Sequence, residues 1–176
     1  SRTDAGLRER LAALAERQDG VARRLQLIEA GATPKLVDWM LRALRWRAHG
    51  SVVIAMHNGP LDARQQRWVA VLNAGAVAAL AARSAAAEYG LSGWEPDCIE
   101  VVVPRGTTVP RDLGIDVKIH ESRRFSAADI HPGRPLPQVR VERALIDAAV
   151  WSRSPRTACG VLAAGVQQRL AQPARL

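Results

Sequence analysis

Thr33-Pro34 constrains this chain more than any other pair of neighbours. A threonine hydroxyl accepts from the free N–H groups of a helix's first turn, and proline suits the first helical position, where no N–H is needed. The helix so opened carries Leu36, Val37, Met40, Leu41 and Leu44 on one side, with Lys35, Asp38, Arg42 and Arg45 largely elsewhere. Upstream, Asp4 is placed to cap a helix through Leu7, Leu11 and Leu14, which Asp19-Gly20 ends. A second short helix holds Leu25, Leu27 and Ile28 and stops at Gly31. Downstream, a strand starting near Trp46 turns around Gly50 and returns through Val52, Val53, Ile54 and Ala55.

Helix, helix, short turn, helix and hairpin is the order of a winged helix-turn-helix. Such a unit binds DNA because a helix fits the major groove while its neighbours hold the tilt. Thr33, Lys35, Arg42, Arg45 and Arg47 are the candidate DNA-binding residues. Lys35, at the helix's N-terminal end, is placed for a base or near-base contact, and the three arginines for phosphates. A small helical bundle with a solvated arginine face fits the same spacing. Two tryptophans stand out, Trp39 and Trp46. Trp39 sits mid-helix, where it can join the core, cover the hairpin or wedge between bases.

Asn58-Gly59-Pro60 is a turn signal, and it divides an N-terminal domain, residues 1–60, from a second, residues 61–176. In the second, Asp62 caps a helix through Trp68 and Leu72 that Gly75 interrupts. Ala76–Ala82 reads equally as a short buried strand or as helix, and Ser84 as the cap of an alanine-rich turn ending at Tyr89-Gly90. Cys98–Val103 and Ile115–His120 are strands joined by a loop or hairpin, and two helices follow, Glu142–Val150 and one from Pro155 to about Leu170. The fold class is α+β, with a small α+β domain and short sheet after the winged helix.

The 176 residues include 25 Lys and Arg against 17 Asp and Glu, a net charge of +8. The excess sits in residues 1–60 and 121–176, with a near-neutral stretch between them. No apolar run reaches membrane-spanning length, and no apolar signal core follows Ser1, so a cytoplasmic protein is expected. Cys98 and Cys159 lie far apart without a Cys-x-x-Cys partner, which fits two buried small side chains in a reducing compartment. Asp116-Val117-Lys118 beside Glu100 has the alternation of a metal nuclease, but polar positions on a half-exposed sheet explain it more simply. The four histidines have no i, i+4 helical pairing, and no glycine-rich phosphate loop follows a strand. No catalytic residue, cofactor or metal is therefore expected. Arg143 and Asp147, four apart on one helix face, read either as a surface ion pair or as a buried structural pair.

Several strings together resemble AbiEi-type proteins, the antitoxins of type IV toxin–antitoxin pairs. In the first half they are Gly20-Val21, Leu27-Ile28-Glu29-Ala30-Gly31, Thr33, Leu44 and Arg45-Trp46-Arg47, with Gly50 at the wing. In the second they are Arg83-Ser84-Ala85-Ala86, Tyr89-Gly90-Leu91, Ile99 through Arg105, His120 through Phe125, and Glu142 through Ala149. The resemblance spans roughly residues 7–170. It implies a non-catalytic transcriptional repressor whose partners are double-stranded DNA and a cognate toxin protein. Some members of that group carry a downstream endonuclease-like domain. A DNA-targeting or protein-interaction module of such a longer protein is the alternative expectation.

Overall fold

The computed structural model describes residues 2–110 and 113–176, with side chains from residue 5 onward. The protein is α+β, and its described residues form seven α-helices and two three-stranded sheets. It divides into two compact units. The first is the chain up to Asn73 with Val109–Ile115, and the second is Ala74–Thr108 with Asp116–Leu176. The helix after Asp62 thus belongs to the first unit, where the sequence reading opens the second domain at residue 61.

The first unit runs α1 (Arg2–Arg17), β1 (Val21–Arg23), α2 (Arg24–Glu29), α3 (Pro34–Arg42), β2 (Arg47–His49), β3 (Val53–Ala55) and α4 (Ala63–Ala74). Its antiparallel sheet has the order β1-β3-β2, with Val21 and Arg47 both in register with Ala55. α1 begins at Arg2, so position 4 lies inside the helix rather than at its cap; the Asp4 side chain is outside the described residues. The helix ends as expected at Asp19-Gly20, both in the left-handed region with φ of 52° and 76°. Strand β1 is an addition to the sequence reading, since three residues are too few for a period to show. The core is Leu14, Ala22, Leu27, Ala32, Val37, Trp46 and Ile54, one from each of α1, β1, α2, α3 and β3, and one from each of the turns before α3 and β2. Each large side chain among them contributes roughly 1.5–3 kcal/mol by leaving water.

α4 is fastened to this core by polar groups. Asp62 Oδ1 accepts from Gln65 N at 2.7 Å, the cap expected of it. The Asp19 carboxylate accepts at 2.7 Å from Trp68 Nε1 and at 2.7 Å from Arg64 Nε. Buried Asn73 donates to the His49 carbonyl at 3.0 Å, which ties the β2–β3 hairpin to α4's last turn. Gly50 at the hairpin tip has φ of 72°, and a Cβ there would stand 2.6 Å from Asn73 Oδ1. Only glycine meets both demands.

The second unit runs β4 (Ala79–Leu80), α5 (Ala82–Glu88), β5 (Ile99–Pro104), β6 (Val117–Ser122), α6 (Val141–Val150) and α7 (Pro155–Gln167). β5 lies between β4, antiparallel to it, and β6, parallel to it. The β5–β6 connection is therefore a crossover and not a hairpin. Ala76–Ala82 supplies a strand and then the first residue of a helix. Long-range partners settle this: Leu80 N donates to Pro137 O and Ala81 N to Glu100 O. Ser84 does not cap α5, because the helix begins two residues earlier behind Ala81, which has no side-chain acceptor. Glu100 replaces it: its Oε2 accepts from Arg83 N at 3.0 Å, while Ser84 Oγ accepts from Glu100 N at 2.9 Å. α7 opens at Pro155 as expected, and the structure adds its cap, with Ser154 Oγ accepting from Thr157 N at 3.1 Å.

Candidate nucleic-acid interface

The α3 sequence turns one side inward through Val37, with Leu36, Met40 and Leu41 packed against the same core. The opposite side is exposed and carries Lys35, Trp39 and Arg42, spaced four and three apart and so stacked along one face. Thr33 Oγ1 accepts from Leu36 N at 3.1 Å, so the threonine is the cap that its sequence predicts. Asp38 is the one carboxylate of α3, and Arg24 of α2 forms an ion pair with it. That pairing removes the negative charge that would oppose an anionic ligand on this face.

One expectation about α3 changes. The helix stops at Arg42, so Leu44 does not extend its apolar side. Leu44 takes φ of 52° and is 69% exposed. Donation from Arg45 N to Met40 O and from Leu44 N to Leu41 O closes the helix end there. The reversal carries Trp46 into the core instead. The two tryptophans thus separate: Trp46 is buried, while Trp39 stays 48% exposed. Arg45 places its guanidinium over the Trp39 ring, 5.3 Å from the centroid. This cation–π pair joins a candidate phosphate contact to an exposed indole, and an (i, i+6) spacing across a helix end gave no sequence signal for it.

Lys35, Arg42 and Arg45 therefore belong to α3 and its immediate exit. Arg47 is exposed on β2 and lines a cleft with His49, Gly50, Pro60, Leu61 and Gln66. His49 next to it is held below the usual histidine range, first by burial and then by the positive charges of Arg47 and His57. Its Nε2 is buried without a hydrogen-bond partner.

The polar residues of the second unit have structural partners. Glu100 is buried and caps α5, whereas Asp116 and Lys118 are exposed. Arg143 Nε lies 2.9 and 2.8 Å from the two Asp147 oxygens, and Asp147 is 6% exposed. Burial pushes the Asp147 carboxyl up, against the pull of Arg143. Of the two readings of this pair, the buried one holds. His120 stacks flat on Trp151 with ring centroids 3.7 Å apart. Cys159 is exposed rather than buried, because it lies on the outer side of α7. Cys98 is half-buried, and its thiol is pushed up by that burial. Among the described residues, no group of three or more His, Cys, Asp or Glu is placed to hold a metal ion. No described helix is long and apolar enough to cross a membrane.

The chain matches no protein family and no curated protein. Among solved structures it is similar to the RV2827C protein from Mycobacterium tuberculosis, with 19% identity and a TM-score of 0.47. That likeness covers 96% of this chain and 78% of the other.

Proposed function

We propose that the first unit is a winged helix-turn-helix that binds double-stranded DNA, and that the protein is a non-catalytic transcriptional regulator of the antitoxin type. One observation carries this reading. The elements follow the order α1-β1-α2-α3-β2-β3, the sheet has the order β1-β3-β2, and the helix before the hairpin exposes its cations. In this arrangement α3 enters the major groove and the β2–β3 hairpin is the wing. Lys35, in the first turn of α3, meets the groove floor together with the helix's free N–H groups. Arg42, Arg45 and Arg47 meet phosphates as the chain leaves the groove. The repressor role, and a cognate toxin as second partner, follow from the resemblance to AbiEi-type antitoxins.

A fluorescence-anisotropy titration over a range of salt concentrations tests the DNA reading. Arg42→Ala and Arg45→Ala should each weaken binding to every duplex and lower the slope of log affinity against log salt by about 0.9. Arg169→Ala removes the same charge from the second unit and should leave the slope unchanged. Equal losses and a common slope for all three variants would mean diffuse attraction by net charge, and the proposed surface would be wrong.

A further inference from the structure

We infer that Trp39 reads sequence, by packing its indole against the 5-methyl group of a thymine in the major groove; the inference rests on the DNA reading above. A tryptophan is costly to leave in water, and the core has no need of this one. Val37, with Met40 and Leu41 beside it, fills the inner side of α3, and Trp46 fills the space behind the helix's end. Trp39 instead stands 48% exposed halfway along the outer face, between Lys35 and Arg42. Cations flank it on that face, and the neighbouring carboxylate of Asp38 is paired with Arg24. The occupant that suits an apolar ring framed by positive charge is a polyanion with an apolar spot on its surface.

Base chemistry narrows the choice. In the major groove, thymine presents a methyl group and an acceptor oxygen, whereas cytosine and adenine present exocyclic amines. Indole has one donor, Nε1–H, and no acceptor. Against Trp39, an amine would lose its water and gain no partner, while a methyl group would gain contact at no polar cost. Arg45 lies over the indole, 5.3 Å from the ring centroid, which helps fix the orientation of the side chain before DNA arrives. The same stack directs a guanidinium toward the adjoining backbone. Trp39 and Arg45 thus divide one contact into a base-reading part and a phosphate-anchoring part.

The test uses the full chain. Duplexes are first selected from a randomised pool by the wild-type protein. Each thymine of the selected site is then replaced by deoxyuridine, which deletes only the methyl group, and affinities are compared by anisotropy. The wild type should lose about 4-fold at one or two positions, the worth of one buried methyl-sized group. Trp39→Ala should bind thymine and uracil duplexes equally while keeping the wild-type salt slope. Trp39→Phe should keep part of the discrimination, and Arg45→Ala should lower the salt slope while keeping part of the thymine/uracil ratio. A ratio near one for the wild type at every thymine overturns the inference, as does a Trp39→Ala variant that discriminates like the wild type. In either case salt-dependent binding would leave the DNA reading standing. Absence of binding to any duplex at low salt would instead remove the DNA reading itself.

Discussion

Thr33 acts through the backbone. Its hydroxyl accepts from Leu36 N at 3.1 Å and so starts α3, while its own O–H is left to donate to a phosphate. Thr33→Ala should cost about 1 kcal/mol, read as a lower urea midpoint at unchanged m-value. The salt slope of DNA binding should stay at the wild-type value, because threonine carries no charge and its loss alters no counterion release. His49 gives a second prediction. Its folded pKa lies below the unfolded value of about 6.5. The unfolded chain therefore binds more protons in that range, and stability rises with pH through it. The His49 contribution is complete above about 6.5 and is lost as the pH falls through the depressed folded value. Thermal melts from neutral to mildly acidic pH should show this loss in the wild type and less of it in His49→Asn. An equal acid loss in both would assign the effect to other groups.

Elements in this protein are joined at a few points where one atom decides the fit. α6 and α7 meet at Gly165, where a Cβ would stand 2.5 and 2.8 Å from the two Leu145 methyl carbons. Leu145 is fully buried, so its methyl groups can shift only by displacing neighbouring core atoms. Gly165→Ala should therefore destabilise the second unit by about 1–3 kcal/mol through overpacking, although alanine is the better helix former. Denaturant unfolding measures the loss, and a neutral or stabilised variant would show that the two helices can shift apart. The hairpin is joined to α4 in a similar way, through Asn73 at Gly50. α5 depends on a strand for its start, since Glu100 of β5 supplies the cap that its own N-terminal residues lack.

Across the whole molecule, 25 basic side chains do different things according to where the fold puts them. Arg143 holds a buried carboxylate, Arg24 neutralises Asp38, and Lys35 and Arg42 face outward from α3. A pair of substitutions with the same change in net charge should separate these roles. Arg143→Ala leaves Asp147 buried and unpaired, at a cost of roughly 3 kcal/mol or more, with no change in the salt slope of DNA binding. Arg42→Ala should leave stability nearly unchanged and lower the slope. Calorimetry and anisotropy on the same two variants check both halves. Matching effects on stability and slope would mean that charge acts here without regard to position.

The sequence by itself determined those features whose cause is local. Thr33-Pro34 starts α3, Gly50 turns the hairpin, Pro155 starts α7, and the apolar run after Cys98 is strand. In each case the deciding atoms lie within a few residues of one another, so the pattern is complete on the page. The tertiary structure decided whatever needed a distant partner. β1 is a strand because β3 pairs with it, and Ala79–Leu80 is one because β5 does. α5 takes its cap from Glu100, which lies 17 positions beyond Arg83. Lys35, Trp39 and Arg42 share a face by helical spacing, which the sequence carries. That Trp39 is exposed, Trp46 buried and Leu44 turned outward follows from how α3 ends against the core, and periodicity carries no information about the competition for one buried place. Arg143 and Asp147 show the same division: their four-residue spacing brings them together, but only the packing around α6 removes the pair from water.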